Sequence, residues 1–179
     1  MGNGWSGLGS CRVQGAEGSG IAEGRVQNGN GGRTMESVGR VERIWIKPAK
    51  GGPMDGVSRA QAVAGQGLVG NADQGGRRQV TIIELDVFER LRAEVDARIE
   101  PAMRRANVLV SGVALRETRG RILQLGHVRV RVLGETRPCE QMDAAVPGLR
   151  LALQPEWRGG VYGELLDDGE IAVGDAVCW

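Results

Sequence analysis

The chain is dominated by short segments in which apolar and polar residues alternate. In the clearest of them, Val128, Val130 and Val132 alternate with Arg129 and Arg131. A period of two puts the valines on one face and the arginines on the other, which is typical of a half-buried antiparallel strand. Many short strands around one helix favour a mixed-β barrel over a doubly wound parallel sheet.

Only one long stretch has a helical period. Apolar residues recur at intervals of three and four over roughly four turns, which predicts a helix from Leu85 to Ile99 that Pro101 ends. A shorter helix is predicted over residues 148–154. Strands are predicted over residues 40–47, 59–64, 80–83, 107–110, 122–125, 128–132, 161–166, 171–173 and 176–178.

The first 37 residues differ in composition from the rest. They hold 11 of the 30 glycines, with few large apolar residues between them. Such a stretch buries too little surface to offset its ordering entropy. We interpret residues 1–37 as a disordered tail, or as a misassigned start with Met35 as the alternative first residue. Residues 38–179 form the domain.

Charge and cysteine content exclude several classes of protein. The 179 residues carry a formal net charge of +1, which gives no support for a nucleic-acid partner bound by bulk charge. No apolar run approaches the roughly 18 residues of a membrane span. Three cysteines are too few for a disulfide scaffold, so we expect a cytoplasmic protein. Arginine provides 21 of the 23 basic residues, a bias that codon usage in a GC-rich genome explains.

Two apparent motifs carry little weight. Residues 65–70 match the dinucleotide-binding glycine string, but residues 71–76 do not read as the helix that this motif requires. His127 is the single histidine, so neither a zinc site nor a histidine-based catalytic pair is supported. Its position after Gly126 predicts an exposed turn.

Cys139 is the first candidate for chemistry. It follows the alternating strand, Pro138 stiffens its approach, and Arg137 lies close enough in sequence to stabilise a thiolate. A thiolate can attack an electrophile or bind a soft metal. The alternative is an inert loop cysteine, which is how we interpret Cys11 and Cys178.

Arginines beside amides are the second candidates. Arg105 and Asn107 precede a strand, two residues apart, which would put both side chains on one side of an extended chain. They could hold a phosphate or a pterin edge. Arg78 and Gln79 end a glycine-rich loop and could do the same with nearby backbone N–H groups. Ordinary surface polarity is the alternative for both pairs.

Taken in order, these segments resemble the MOSC domain, named for the C-terminal domain of molybdenum cofactor sulfurases. The resemblance covers about 140 residues. Seven similar strings follow the family's order, at residues 67–70, 79–83, 105–113, 120–126, 137–139, 158–162 and 169–177. The chain departs from the family's Gly-Asp-x-His pattern, because residues 70–73 read Gly-Asn-Ala-Asp.

The resemblance implies a mainly β, barrel-like fold of mixed α+β class that binds a molybdenum–pterin cofactor. In the family's reductases, a cysteine at the place of Cys139 is a thiolate ligand to molybdenum. We therefore expect Cys139 to be both metal ligand and catalytic residue. The cofactor-binding residues that we expect are Arg78, Gln79, Arg105, Asn107, Arg137 and Arg158.

Related members reduce N-hydroxylated compounds, so the resemblance implies a small N-hydroxylated substrate. A ferredoxin- or cytochrome-like partner would supply electrons. One alternative is a non-catalytic carrier of the cofactor, or of sulfur as a Cys139 persulfide; another is a decayed site, suggested by Asn71 and Asp73. Pyridoxal phosphate is linked to the family name through the sulfurases. We expect none here, because only Lys47 and Lys50 could form its Schiff base.

Overall fold

Eleven strands and three short helices make up residues 38–72 and 74–179, the part of the chain that this computed structural model describes. The strands are β1 Gly39–Ile46, β2 Asp55–Val57, β3 Arg59–Val63, β4 Gly67–Leu68, β5 Val80–Glu84, β6 Val108–Ser111, β7 Ile122–Leu125, β8 Val128–Glu135, β9 Val161–Leu165, β10 Gly169–Ala172 and β11 Ala176–Cys178. The helices are α1 Leu85–Glu94, α2 Gln141–Ala145 and α3 Leu149–Ala152, with 3₁₀ turns at Pro101–Arg104 and Pro155–Trp157. The predicted tail over residues 1–37 lies outside the described residues.

Seven strands close into a barrel. Their order around the ring is β1-β11-β7-β8-β9-β5-β6, and β6 pairs back with β1. Only the β5–β6 pair in this ring is parallel, because α1 provides the crossover that a parallel connection requires. Strand β2 pairs with β1 outside the ring, and β10, β3 and β4 form a separate small sheet. The predicted mainly β barrel is confirmed.

The barrel interior is filled by the apolar faces of the alternating strands. Val128, Val130 and Val132 of β8 are fully buried, as the alternation predicts. On the outer face, Arg129 pairs with Asp167 at 2.7 Å and Arg131 pairs with the carboxylate of Glu164 at 2.9 Å. The period-two pattern therefore separates an apolar interior from a charged exterior.

A second apolar layer covers one outer face of the barrel. Phe88 and Leu91 of α1 pack in one cluster with Leu109 of β6, Met142 of α2 and Leu149 of α3. This layer lies beside the segments that carry the candidate site. No described helix is long and apolar enough to cross a membrane.

The predicted length of the main helix is wrong. Helix α1 ends at Glu94, although buried Ile99 keeps the apolar spacing. The Asp96 carboxylate accepts a hydrogen bond from the Arg98 backbone N–H at 2.8 Å, which stabilises a turn instead of a further helical turn. Ile99 reaches the core through that turn, so apolar spacing alone overestimates the helix.

Candidate functional site

A cavity of about 150 Å³ opens among β5, the segment that leads into β6, and the segment that joins β8 to α2. We call it the cation pocket. Its lining residues are Lys47, Asn71, Arg78, Thr81, Arg104, Arg105, Ala106, Asn107, Thr136, Cys139, Gln141 and Met142. Cys139 is exposed, with its thiol in no disulfide. The pocket thus joins a reactive side chain to polar groups from four distant parts of the sequence.

Positive charge dominates this lining. Lys47, Arg78, Arg104 and Arg105 contribute four cations, and the described lining residues include no carboxylate. Burial, with repulsion from Arg78, lowers the pKa of Arg104 to about 10. That pKa is still well above neutral, so the buried guanidinium stays charged. The pocket is therefore suited to a bound anion.

Arg104 fixes the segment that carries Cys139. Its Nε donates a hydrogen bond to the Gly159 carbonyl oxygen at 3.0 Å. Its Nη2 donates to the carbonyl oxygens of Thr136 at 2.8 Å and Arg137 at 3.3 Å. Because a guanidinium is a planar fork, these bonds fix both its orientation and that of the two loops. Arg104 is only 7% exposed, so water competes little for these bonds.

Thr136 has an unusual hydroxyl. The residue is 3% exposed, and its Oγ1 is the buried side-chain polar atom without a hydrogen-bond partner in the described part of the chain. Such orphans are uncommon in folded proteins, because an unmade hydrogen bond in a buried position is costly. Thr136 lines the cation pocket, so a bound group could supply the missing partner.

The amide of Asn107 holds the pocket wall together. Its Oδ1 accepts hydrogen bonds from the Thr81 N–H at 3.1 Å and the Thr81 hydroxyl at 2.9 Å. Its Nδ2 donates to the Trp45 carbonyl oxygen and to Asn71 Oδ1, both at 3.2 Å. Asn71 Oδ1 also accepts from the Lys47 N–H at 3.0 Å. Asn71 thus has a structural role here, while Asp73 lies outside the described residues.

Arg105 reaches the pocket in a different way from that predicted. The expectation of an extended chain from Arg105 to Asn107 is wrong, because Arg105 has a φ of 57° and ends the 3₁₀ turn in the left-handed conformation. Both side chains nevertheless line the cavity. Arg105 Nη2 donates to the Gly52 carbonyl oxygen at 2.6 Å, which ties the loop between β1 and β2 to the pocket.

Three of the six predicted cofactor-binding residues do not line the pocket. Gln79 is buried, and its amide is engaged by the backbone of Gly65, Gly76 and Leu165. Arg158 Nη1 pairs with the Glu94 carboxylate at 3.1 Å. Arg137 has an exposed side chain and contributes its carbonyl oxygen to Arg104 instead.

Sequence reasoning missed Arg104, Thr136 and Lys47 as pocket residues. Arg104 precedes Arg105, so the arginine doublet was a usable signal, but choosing between the two required knowledge of which one is buried. Lys47 ends a predicted strand, and the sequence suggests it only as a Schiff-base candidate. Nothing in the sequence marks Thr136, because its position depends on the loop between β8 and α2.

Three other features of the sequence, namely His127, Arg78 and the glycine string of residues 65–70, have the positions that the sequence predicts. Exposed His127 lies in the turn between β7 and β8. Arg78 lines the pocket, and its guanidinium lies 5.8 Å from the centre of the Tyr162 ring. The next element after Gly70 among the described residues is strand β5 and not a helix, so the glycine string lacks the helix that dinucleotide binding requires.

Comparisons with known proteins identify the fold. A family model described as MOSC domain matches residues 54–178. The YuaD protein from Bacillus subtilis is similar in structure, with a TM-score of 0.68 and 20% identity over 78% of this chain and 94% of that chain. YiiM from Escherichia coli has a TM-score of 0.59 and 14% identity, over 77% and 68% of the two chains. YiiM from Geobacillus stearothermophilus has a TM-score of 0.61 and 16% identity, over 78% and 73%. No curated protein matches the sequence significantly.

Proposed function

Because the chain belongs to the MOSC domain family, which is associated with the molybdenum cofactor, we propose that it binds a molybdenum–pterin cofactor and reduces N-hydroxylated compounds. The observation that carries this proposal is that an exposed cysteine thiol and four cations line one pocket. A thiolate is a soft ligand that suits molybdenum, and the cations suit the cofactor's phosphate.

The pocket residues fit an anionic cofactor. Arg78, Arg104 and Arg105 would hold its negatively charged part, with no described carboxylate in the lining to oppose them. The orphan hydroxyl of Thr136 would gain a hydrogen-bond acceptor. A volume of about 150 Å³ is smaller than the roughly 300–1,000 Å³ of a typical ligand pocket, so part of the cofactor would lie outside it.

Each residue has a role in this proposal. When bound, the cofactor supplies two-electron removal of an oxygen atom from the substrate. Cys139 would ligate the metal, and Arg104 would keep the Cys139 segment in place through its bonds to the Thr136 and Arg137 carbonyls. Asn107 would not contact the cofactor directly. Its amide fixes the pocket wall and has no hydrogen bond left for a ligand.

The reaction needs electrons from elsewhere. The cysteines at 11, 139 and 178 are too widely spaced in the sequence for a ferredoxin-type motif. We propose that a ferredoxin- or cytochrome-like protein of the cytoplasm donates them. The small substrate would approach Cys139 from solvent, since this residue is exposed.

The activity assay tests the proposal directly. The full chain, produced in cells that make the cofactor, is reduced with dithionite and given an N-hydroxylated amidine. We expect turnover that Cys139→Ala abolishes and Cys178→Ala preserves, because Cys178 lies in β11 and does not line the pocket. Equal activity in the Cys139→Ala variant would contradict the assignment.

The exposure of Cys139 also favours a second candidate function. An exposed thiol can accept a sulfane sulfur from a donor persulfide and pass it on, as a sulfur carrier does. A carrier would transfer sulfur or cofactor to an acceptor protein without reducing N-hydroxylated compounds. Radiolabelled sulfur on Cys139, with no turnover under dithionite, would favour this function over the first.

A further inference from the structure

Two arginines and a tyrosine form a strip on the outer face of the barrel. Arg78 lines the cation pocket, and its guanidinium lies 5.8 Å from the centre of the Tyr162 ring. Tyr162 in turn lies beside Arg119. A Cβ built on Gly134 would be 3.1 Å from Arg119 Nη2 and 3.3 Å from Tyr162 Cε1, so both side chains cover this glycine. We call Arg78, Tyr162 and Arg119 the arginine strip.

The glycine at position 134 makes this arrangement possible. Gly134 of β8 is the register partner of Tyr162 in β9, at a point where the register of the two strands shifts. Because Gly134 has no side chain, the Tyr162 ring and the Arg119 guanidinium lie close to the sheet. Arg119 Nε also donates a hydrogen bond to the Leu133 carbonyl oxygen at 3.1 Å. The guanidinium is therefore already oriented, which reduces the side-chain entropy that binding a partner would cost.

The strip differs in charge balance from the adjoining part of the same sheet face. Further along this face, Arg131 of β8 pairs with the Glu164 carboxylate of β9 at 2.9 Å. Arg78 and Arg119 are both exposed, and neither forms an ion pair with a carboxylate of the described residues. The end of the face next to the cation pocket therefore carries two positive charges that no ion pair neutralises.

The residue types of the strip are those of protein interfaces. Tyrosine and arginine are enriched at such surfaces and provide much of the binding energy there. Tyr162 is half-buried, and its hydroxyl forms no hydrogen bond with the described residues. A contact built on three residues is small, and small contacts are typical of transient redox complexes. The two arginines select a partner with carboxylates on its surface.

We infer that the arginine strip is the docking surface for the electron donor, and that this donor is a ferredoxin-like protein with an acidic surface. The inference rests on the proposed function and adds the place and the charge of the partner. Reduction of one N-hydroxyl group consumes two electrons and two protons and releases water. A two-iron ferredoxin gives up one electron at a time, so two reduced ferredoxins must dock in turn. Because Arg78 also lines the cation pocket, a docked donor lies beside that pocket.

A binding experiment tests the strip without relying on turnover. The full chain is immobilised, and an acidic plant-type two-iron ferredoxin is passed over it at low and at high salt. Arg119→Gln is the informative variant, because Arg119 does not line the cation pocket. We expect this variant to raise the Kd by about three- to tenfold at low salt. The difference should disappear at about 0.5 M NaCl, where salt screens exposed charges.

Arg131→Gln is the matched control. It removes the same charge from the same sheet face, but from an arginine that is paired with Glu164 and lies outside the strip. We expect it to change the Kd by less than about twofold. In the loaded protein, turnover driven by limiting reduced ferredoxin should fall in Arg119→Gln by the same factor as the affinity. Turnover driven by dithionite, a small reductant that needs no docking surface, should stay the same.

The outcomes separate the two proposals. If dithionite drives turnover but ferredoxin does not bind, the docking assignment is wrong and the proposed function stands. If ferredoxin binds through Arg119 but neither reductant drives turnover, the strip is supported as a surface for an acidic protein and the proposed function fails. Equal weakening by Arg119→Gln and Arg131→Gln would show a response to net charge alone and overturn the inference. Binding that neither variant changes would place the contact elsewhere, with the same consequence.

Discussion

Replacing Arg104 with methionine tests whether this buried guanidinium holds the site together. The variant removes hydrogen bonds of 3.0 and 2.8 Å to the Gly159 and Thr136 carbonyl oxygens, and a longer one of 3.3 Å to Arg137. Each buried carbonyl left without a donor costs about 1–3 kcal/mol. Methionine also avoids burying a charge, which offsets part of this loss. We expect a net loss of about 2–4 kcal/mol in the free energy of unfolding.

The matched control is Arg158→Met. Arg158 makes its ion pair with Glu94 at the surface, where such a pair contributes at most about 1 kcal/mol. Urea unfolding followed by tryptophan fluorescence gives the free energy for both variants, and calorimetry should show a melting temperature about 5–15 °C lower for Arg104→Met. If the two variants lost the same free energy, the hydrogen bonds of Arg104 would not hold the Cys139 segment and the Gly159 loop in place.

Three other substitutions give distinct expectations. Thr136→Val should keep the free energy of unfolding within about 1 kcal/mol, since the hydroxyl has no partner, yet lower cofactor affinity by about tenfold; unchanged molybdenum retention on dialysis would contradict this. Gly160→Ala should cost at least about 3 kcal/mol, because at φ +86° its Cβ would collide with the Ile82 carbonyl oxygen. Gly120→Ala has a φ of +85° but open space, so a melting curve as low as that of Gly160→Ala would refute the collision. Burial raises the pKa of the Glu84 carboxyl in the folded protein above its ordinary value of 4.5. The protonated carboxyl therefore contributes its full stabilisation below pH 4.5, and this stabilisation is lost as the pH rises through the raised pKa. Glu84→Gln should therefore gain stability relative to the native chain from acidic to neutral pH in urea titrations, and a pH-independent difference would exclude this effect.

The barrel was predictable because several of its strands are marked by short runs of alternating or β-branched residues in the sequence. Alternation marks β8, and β7 and β11 have the predicted bounds, Ile122–Leu125 and Ala176–Cys178. Short elements escaped prediction. Strand β4 has two residues and β2 has three, which is too short to establish an alternation that is recognised only over about four or more residues. Helix α2 was missed because five residues with one buried methionine give no helical periodicity.

The site was only partly predictable. Cys139, Arg78, Arg105 and Asn107 were predicted as site residues, and the structure brings all four into one cavity. Gln79 does not line the pocket, because its amide bonds the backbone of two loops and of strand β9, and such competition is invisible in the sequence.

Arg104 is a site residue that the sequence did not predict. Its bond to Gly159 joins residues 55 positions apart, and only the closed barrel brings those loops together. Local sequence patterns report periodicity and turn chemistry. They do not report which member of an arginine doublet is buried.

Molybdenum content is the most direct test of the central claim, that the cation pocket and Cys139 hold a molybdenum cofactor. The full chain and its Cys139→Ala and Cys178→Ala variants would be purified from a host that makes the cofactor, and molybdenum per chain measured by elemental mass spectrometry. We predict near-stoichiometric metal in the native chain and in Cys178→Ala, and a large loss in Cys139→Ala. Folded protein without molybdenum in all three samples, or equal metal in all three, would contradict the account.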